Sequence, residues 1–164
     1  MEQGQYYIAY GSNLNVEQMK RRCPDAKLVG SGQLEQYALE FRGRKGNAHA
    51  TITEQEGSAV PVLLWKLSTQ DESRLDQYEG APTYYGKEML TVEIGGERYE
   101  AMVYRMQPGY AQNLPSAEYY QTIFEGYQAF GFSEAILRDA VMQAADEVFH
   151  RQSQEEEGYG LRQE

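Results

Sequence analysis

A chain of 164 residues and 18.7 kDa is long enough for one well-buried core and short for two domains. Hydrophobic residues at 41%, charged residues at 24%, 16 Gly and 5 Pro exclude a collagen-like or broadly disordered chain. A net charge of −10, from 15 Lys+Arg against 25 Asp+Glu, repels phosphate backbones and anionic bilayers, so neither nucleic acid nor membrane is an expected partner. No apolar run approaches the ~20 residues of a membrane helix. The opening residues have no basic n-region and no adequate apolar h-region, so no secretory signal is expected. Cys23 is the only cysteine. It rules out an internal disulfide and fits a reducing compartment, so the expected location is cytoplasmic. Two histidines, His49 and His150, leave little for a zinc site, and no metal is expected. Tyrosine, at 14, is the unusual count.

Tyr6-Tyr7-Ile8-Ala9-Tyr10 is aromatic and β-branched and stops at Gly11-Ser12-Asn13, which predicts a strand running into a loop. Asn15 caps a short helix, with Gln18 three residues on and Met19 buried; Cys23-Pro24 ends it. Tyr37, Leu39 and Phe41 keep a two-residue spacing on a strand, and residues 42–47 read as a basic turn. Residues 48–53 and 58–67 read as a strand pair joined by Glu54-Gln55-Glu56-Gly57. The second of these is apolar on both faces, as in a small barrel packed by helices. Ser68 or Thr69 opens a helix that Gly80 closes. Residues 84–94 and 98–106 form a hairpin around Gly95-Gly96-Glu97. Pro115-Ser116 starts a helix with Tyr120, Ile123, Phe124 and Tyr127 on one stripe, and Ser133 caps a last helix carrying Leu137, Val141, Ala144 and Val148. The expectation is one α+β domain over residues 1–150, followed by a flexible acidic tail over 151–164.

Phosphate-loop, dinucleotide, HExxH and CxxC motifs are absent. Cys23 with His49 could pair as nucleophile and base, but their spacing gives no support and Cys23 sits at a helix end beside proline. Tyr10-Gly11-Ser12-Asn13-Leu14 has more content. A strand ending in Gly-Ser-Asn before a helix leaves backbone N–H groups unpaired and convergent, although simple turn-making and capping account for the same residues. Glu79 ends a helix, where the negative dipole end disfavours another anion, among Tyr78, Pro82, Tyr84 and Tyr85. Both influences raise a carboxyl's pKa toward the range of a general base. The bland alternative is an exposed surface glutamate.

YGSNL directly after an N-terminal strand, a central Glu79-Gly80 followed by Pro82 and Tyr, a strand tyrosine, and Pro115-Ser116-x-x-Tyr119 in that order resemble the gamma-glutamylcyclotransferase family over roughly residues 6 to 130. The resemblance implies a small mixed β-barrel with flanking helices. It also implies a cofactor-free cyclisation of a small-molecule γ-glutamyl amide, which releases 5-oxoproline and a free amine. Carried over, Tyr10, Gly11, Ser12, Asn13 and Leu14 hold the glutamyl moiety, Glu79 is the base, and Tyr85, Tyr104 and Tyr119 line the substrate site. Tyr84 competes with Tyr85 by one residue of register, and core packing is the competing account of each tyrosine. The alternative is a non-catalytic module that keeps the pocket for a glutamyl-like ligand. A polyamine-like leaving group would suit the negative charge; the leaving amine and the oligomeric state are left open.

Overall fold

The computed structural model describes residues 4–163. The chain runs β1 (Gln5–Ala9), a 3₁₀ turn (Ser12–Leu14), α1 (Val16–Arg22), β2 (Lys27–Arg44), β3 (Asn47–Leu67), α2 (Thr69–Glu79), β4 (Tyr85–Ile94), β5 (Glu97–Met106), α3 (Ala117–Ala129) and α4 (Glu134–Gln163). Five strands form one mixed sheet in the order β2-β3-β1-β5-β4. β1 pairs antiparallel with β3 and parallel with β5, through Tyr7 opposite Met102. The α+β class and the helix positions follow the expectations. The barrel does not close: the edge strands β2 and β4 approach without pairing, and Ile94 of β4 packs where Gly30 and Gly32 of β2 have no side chain.

The expected strand pair over 48–53 and 58–67 is instead a single strand. β2 and β3, of 18 and 21 residues, form one long antiparallel ribbon that turns at Lys45-Gly46, and both halves of β3 pair with β2. Residues 55–58 make a bulge, which Gln36 alone on β2, at φ 69°, faces. The Gln36 side-chain oxygen accepts from the Gly57 N–H at 2.9 Å. Gly57 sits at φ 83°, a region open to glycine, so the local turn signal is real but bends one strand. Beyond the bulge, β3 is covered on both faces, and Val60, Val62, Leu63, Leu64, Trp65 and Leu67 are all buried.

The helices start and stop as their caps dictate. Asn15 Oδ1 accepts from the Gln18 N–H at 3.2 Å, and the Ser68 and Ser116 side chains accept from the Asp71 and Tyr119 N–H groups. Gly80, at φ 65°, takes the left-handed position that ends α2. α3 packs on the 3₁₀ turn through Gly126, where a Cβ would lie 2.7 Å from Leu14. α4 buries Leu137, Ala140 and Ala144. Its helix continues past His150 to Gln163, where the sequence reading has it fray into a tail. Arg151 on this extension donates to the Gln112 carbonyl at 2.6 Å and to Asn113 Oδ1 at 2.8 Å.

Candidate active site

A pocket opens where the end of β1, the 3₁₀ turn, β3, the end of α2, β4, β5 and α3 meet. Seven of the eight expected substrate-site residues line it, Tyr10, Gly11, Ser12, Asn13, Tyr85, Tyr104 and Tyr119, together with the expected base Glu79. Leu14 does not; its side chain is fully buried and anchors the turn under α3. Gly11 leaves room between β3 and α3, since a Cβ there would stand 3.3 Å from that of Ala50 and 3.5 Å from the Tyr119 hydroxyl. In the 3₁₀ turn the first bond runs from the Leu14 N–H to the Gly11 carbonyl at 3.0 Å. The Ser12 and Asn13 N–H groups therefore have no acceptor within the turn.

The phenols are oriented by their backbone partners. The Tyr10 hydroxyl donates to the Tyr104 carbonyl and the Tyr85 hydroxyl to the Ala50 carbonyl, each at 2.6 Å. Tyr104 donates to Asp76 Oδ1 at 2.6 Å, and Asp76 is in turn paired with Lys87 at 3.0 Å. These three phenols have spent their protons and can offer only lone pairs to the pocket. Tyr119 is the reverse. It accepts from the Ala50 N–H at 3.0 Å, and Tyr7 accepts from Asn13 Nδ2 at 3.0 Å, which leaves both with an O–H to give. The pocket thus offers both acceptor and donor groups. Burial pushes all five phenols above the usual tyrosine range, so they stay protonated.

Glu79 is the last residue of α2 and lines this pocket. Burial pushes its carboxyl up to about 7, against a smaller downward pull from the Arg22 guanidinium. Arg22, at the end of α1, donates to Ser12 Oγ at 2.9 Å, to Asn13 Oδ1 at 2.7 Å and to the Tyr78 hydroxyl. One cation therefore ties the 3₁₀ turn to the end of α2. The Cys23–His49 pairing is not formed. Cys23 is buried, its thiol donates to the Asp71 carbonyl at 3.8 Å, and burial pushes it up to about 12. His49 lies at the pocket, with Nδ1 sharing a 2.9 Å hydrogen bond with the Tyr84 hydroxyl. Among the described residues no cluster of three or more His, Cys, Asp or Glu could hold a metal ion.

The register ambiguity resolves by geometry: Tyr85 is buried and lines the pocket, whereas Tyr84 faces His49 and Tyr110 outside it. Sequence reasoning missed Tyr7, Ile8, His49, Ala50 and Tyr78 as lining residues and Arg22 as the tie from Ser12 and Asn13 to Tyr78. Tyr7 was legible as a strand residue but not by face. His49 and Ala50 depend on the β2–β3 register, and Arg22 on which way α1 points its last turn; no local pattern signals either.

The gamma-glutamyl cyclotransferase, AIG2-like family matches residues 7–122. A gamma-glutamylcyclotransferase of Bos taurus is 30% identical over 134 residues, which cover 76% of this chain and 71% of that protein. The Homo sapiens gamma-glutamylcyclotransferase is 28% identical over 139 residues, 79% of this chain and 73% of that protein. A solved gamma-glutamyl cyclotransferase structure superposes with a TM-score of 0.75 at 25% identity, covering 84% of this chain and 86% of the other. With the family match running unbroken from β1 into α3, across every element that contributes to the pocket, the chain belongs to the gamma-glutamyl cyclotransferase, AIG2-like family.

Proposed function

We propose that this protein cleaves a γ-glutamyl amide by cyclisation, releasing 5-oxoproline and a free amine, with Glu79 as the proton carrier. The carrying observation is a carboxyl held up to about 7 in the same pocket as the unpaired N–H groups of the 3₁₀ turn. The substrate's α-ammonium gives a proton to Glu79, and the freed amine attacks the γ-carbonyl carbon to form a C–N bond. The carbonyl oxygen becomes an oxyanion. Its collapse breaks the bond to the leaving nitrogen, which takes that proton from Glu79; the carboxylate so regenerated takes the surplus proton of the cationic ring nitrogen and passes it to the departing amine, which leaves as an ammonium, so no water is consumed. An α-ammonium ordinarily titrates near 8, so transfer to a carboxyl near 7 is uphill by about 1.4 kcal/mol, against nearly ~5 kcal/mol for an ordinary glutamate.

The reaction is intramolecular, and a folded substrate supplies much of its own acceleration. The acceptor groups, Glu79 with the Tyr104 and Tyr10 oxygens, suit the α-ammonium. The donor groups, the Ser12 and Asn13 N–H groups with the Tyr119 and Tyr7 hydroxyls, suit the carboxylate and the developing oxyanion. A pure binding module has no use for a carboxyl poised near neutrality, which favours catalysis over that alternative. The buried single thiol suits a reducing compartment such as the cytoplasm. Among the described residues no helix is long and apolar enough to cross a membrane.

The test is 5-oxoproline release, by mass spectrometry, from a panel of γ-glutamyl amino acids and γ-glutamyl amines. Glu79→Gln keeps the shape and removes the base; the expected loss in kcat is about 10²–10⁴-fold. Full activity in that variant would remove Glu79 from the mechanism.

A further inference from the structure

Arg22 is half-buried at the end of α1, whereas Lys20 and Arg21 in the same turn are exposed. Its Nη1 donates to Ser12 Oγ at 2.9 Å and to Asn13 Oδ1 at 2.7 Å, and its Nη2 donates to the Tyr78 hydroxyl. Ser12, Asn13 and Tyr78 all line the pocket that holds Glu79, and Arg22 stands behind that wall.

The Asn13 side chain carries the effect of Arg22 into the site. Asn13 is buried, with Oδ1 accepting from Arg22, Nδ2 donating to the Tyr7 hydroxyl at 3.0 Å and the carbonyl accepting from Trp65 Nε1 at 3.3 Å. A guanidinium has donors only, so the amide atom it meets must be the oxygen. That choice turns Nδ2 toward Tyr7. An amide nitrogen donates, so the Tyr7 oxygen accepts and keeps its own proton for the pocket it lines. Without the guanidinium the amide is free to turn over. Tyr7 then donates to Oδ1 and withholds its proton from the pocket.

Arg22 also acts on Glu79 electrostatically. The other groups facing Glu79 are the phenols of Tyr7 and Tyr10 on β1, Tyr85 on β4, Tyr104 on β5 and Tyr119 on α3, and the imidazole of His49 on β3. Burial holds these phenols protonated and pushes His49 below the usual histidine range, so they are neutral near pH 7. Asp76, on the same helix as Glu79, is committed to Tyr104 and Lys87. The guanidinium supplies the pull toward the ionised form, the form that can take a proton from the substrate.

We propose that Arg22 is a positioning residue of the cyclisation: its fork fixes Asn13 so that Tyr7 presents a proton to the pocket, and its charge offsets that of the Glu79 carboxylate. The proposal rests on the cyclotransferase reading.

The test follows kcat/KM against pH on γ-glutamyl-alanine or, where another panel member is turned over faster, on that substrate. Arg22→Lys keeps the charge and loses the fork; kcat/KM is expected to fall about tenfold to hundredfold, with its acid limb in the native place. Arg22→Met loses both. Its kcat/KM falls at least as far and its acid limb moves to higher pH, so the loss is greater below about pH 7 than above it. A wall that merely loosened would admit water to Glu79 and move the limb the other way. Tyr7→Phe is expected to cost activity in the native chain and little more in Arg22→Met, where the Tyr7 proton is already withdrawn. Arg21→Met, an equal charge change in the same turn, leaves rate and limb at their native values. Tm shows that each variant is folded, and Arg22→Gln replaces Arg22→Met if the latter does not fold. Full kcat/KM in Arg22→Lys, a limb that stays or moves down in the neutral variant, or additive losses with Tyr7→Phe overturns the proposal while leaving the cyclotransferase reading standing. No 5-oxoproline from the native chain with any panel member overturns both.

Discussion

Glu79 binds its proton more tightly in the folded chain, near 7, than an ordinary glutamate does at 4.5. Between those values the native state holds more protons than the unfolded one, so this residue's contribution to stability is fully present below 4.5 and is lost as pH rises through about 7. Glu79→Gln cannot ionise. Its Tm relative to the native chain is therefore expected to climb as the pH goes from 4.5 to 8, and a difference that stays constant over that range would show a carboxyl of ordinary pKa. The sequence already pointed to this residue, because a helix-terminal glutamate among tyrosines has its dipole and desolvation influences written locally. Arg22, which opposes the shift, was not legible: its reach to Ser12, Asn13 and Tyr78 exists only once α1 and α2 lie side by side.

At the level of elements, the 3₁₀ turn is held from outside. α3 presses on it through Gly126, and Asn15 Nδ2 donates to the Thr122 carbonyl at 3.1 Å. Ordinarily Gly→Ala inside a helix gains ~1 kcal/mol. Here the added Cβ would stand 2.7 Å from the Leu14 carbonyl carbon and 2.8 Å from its oxygen, neither of which can swing aside. Gly126→Ala is expected to destabilise by about 1–2 kcal/mol net of that propensity gain, read by denaturant unfolding, and to lower kcat as the turn shifts. A more stable variant would mean that α3 yields and the turn does not depend on it. Caps and hairpins were predictable because Asn15, Ser68, Gly80 and Ser116 act on neighbours within a few residues. The β2–β3 ribbon was not. Gly57 signals a turn, and whether a turn ends a strand or only bends it depends on whether the flanking halves share a partner.

Over the whole molecule the sheet remains open, and its edges meet through side-chain packing. A Cβ on Gly32 would lie 2.7 Å from Ile94 Cδ1 and 2.9 Å from the Glu93 carbonyl oxygen. Gly32→Val is expected to splay β2 from β4 and cost about 1–3 kcal/mol in unfolding experiments. Neither Gly32 nor Ile94 lines the pocket, so kcat/KM of the folded fraction is expected to hold; a parallel loss of kcat/KM would mean that the open seam and the pocket are coupled. Composition, caps, strand periods and the Tyr10–Leu14 and Glu79 segments are set by interactions within a few residues, and these the sequence determined by itself. The continuous β3, the open seam, the extension of α4, the choice of Tyr85 over Tyr84 and the place of His49 at the pocket were decided only by the tertiary structure. Each depends on register or on an approach between segments tens of residues apart, and burial that rewards such contacts exists only after the chain has closed those distances.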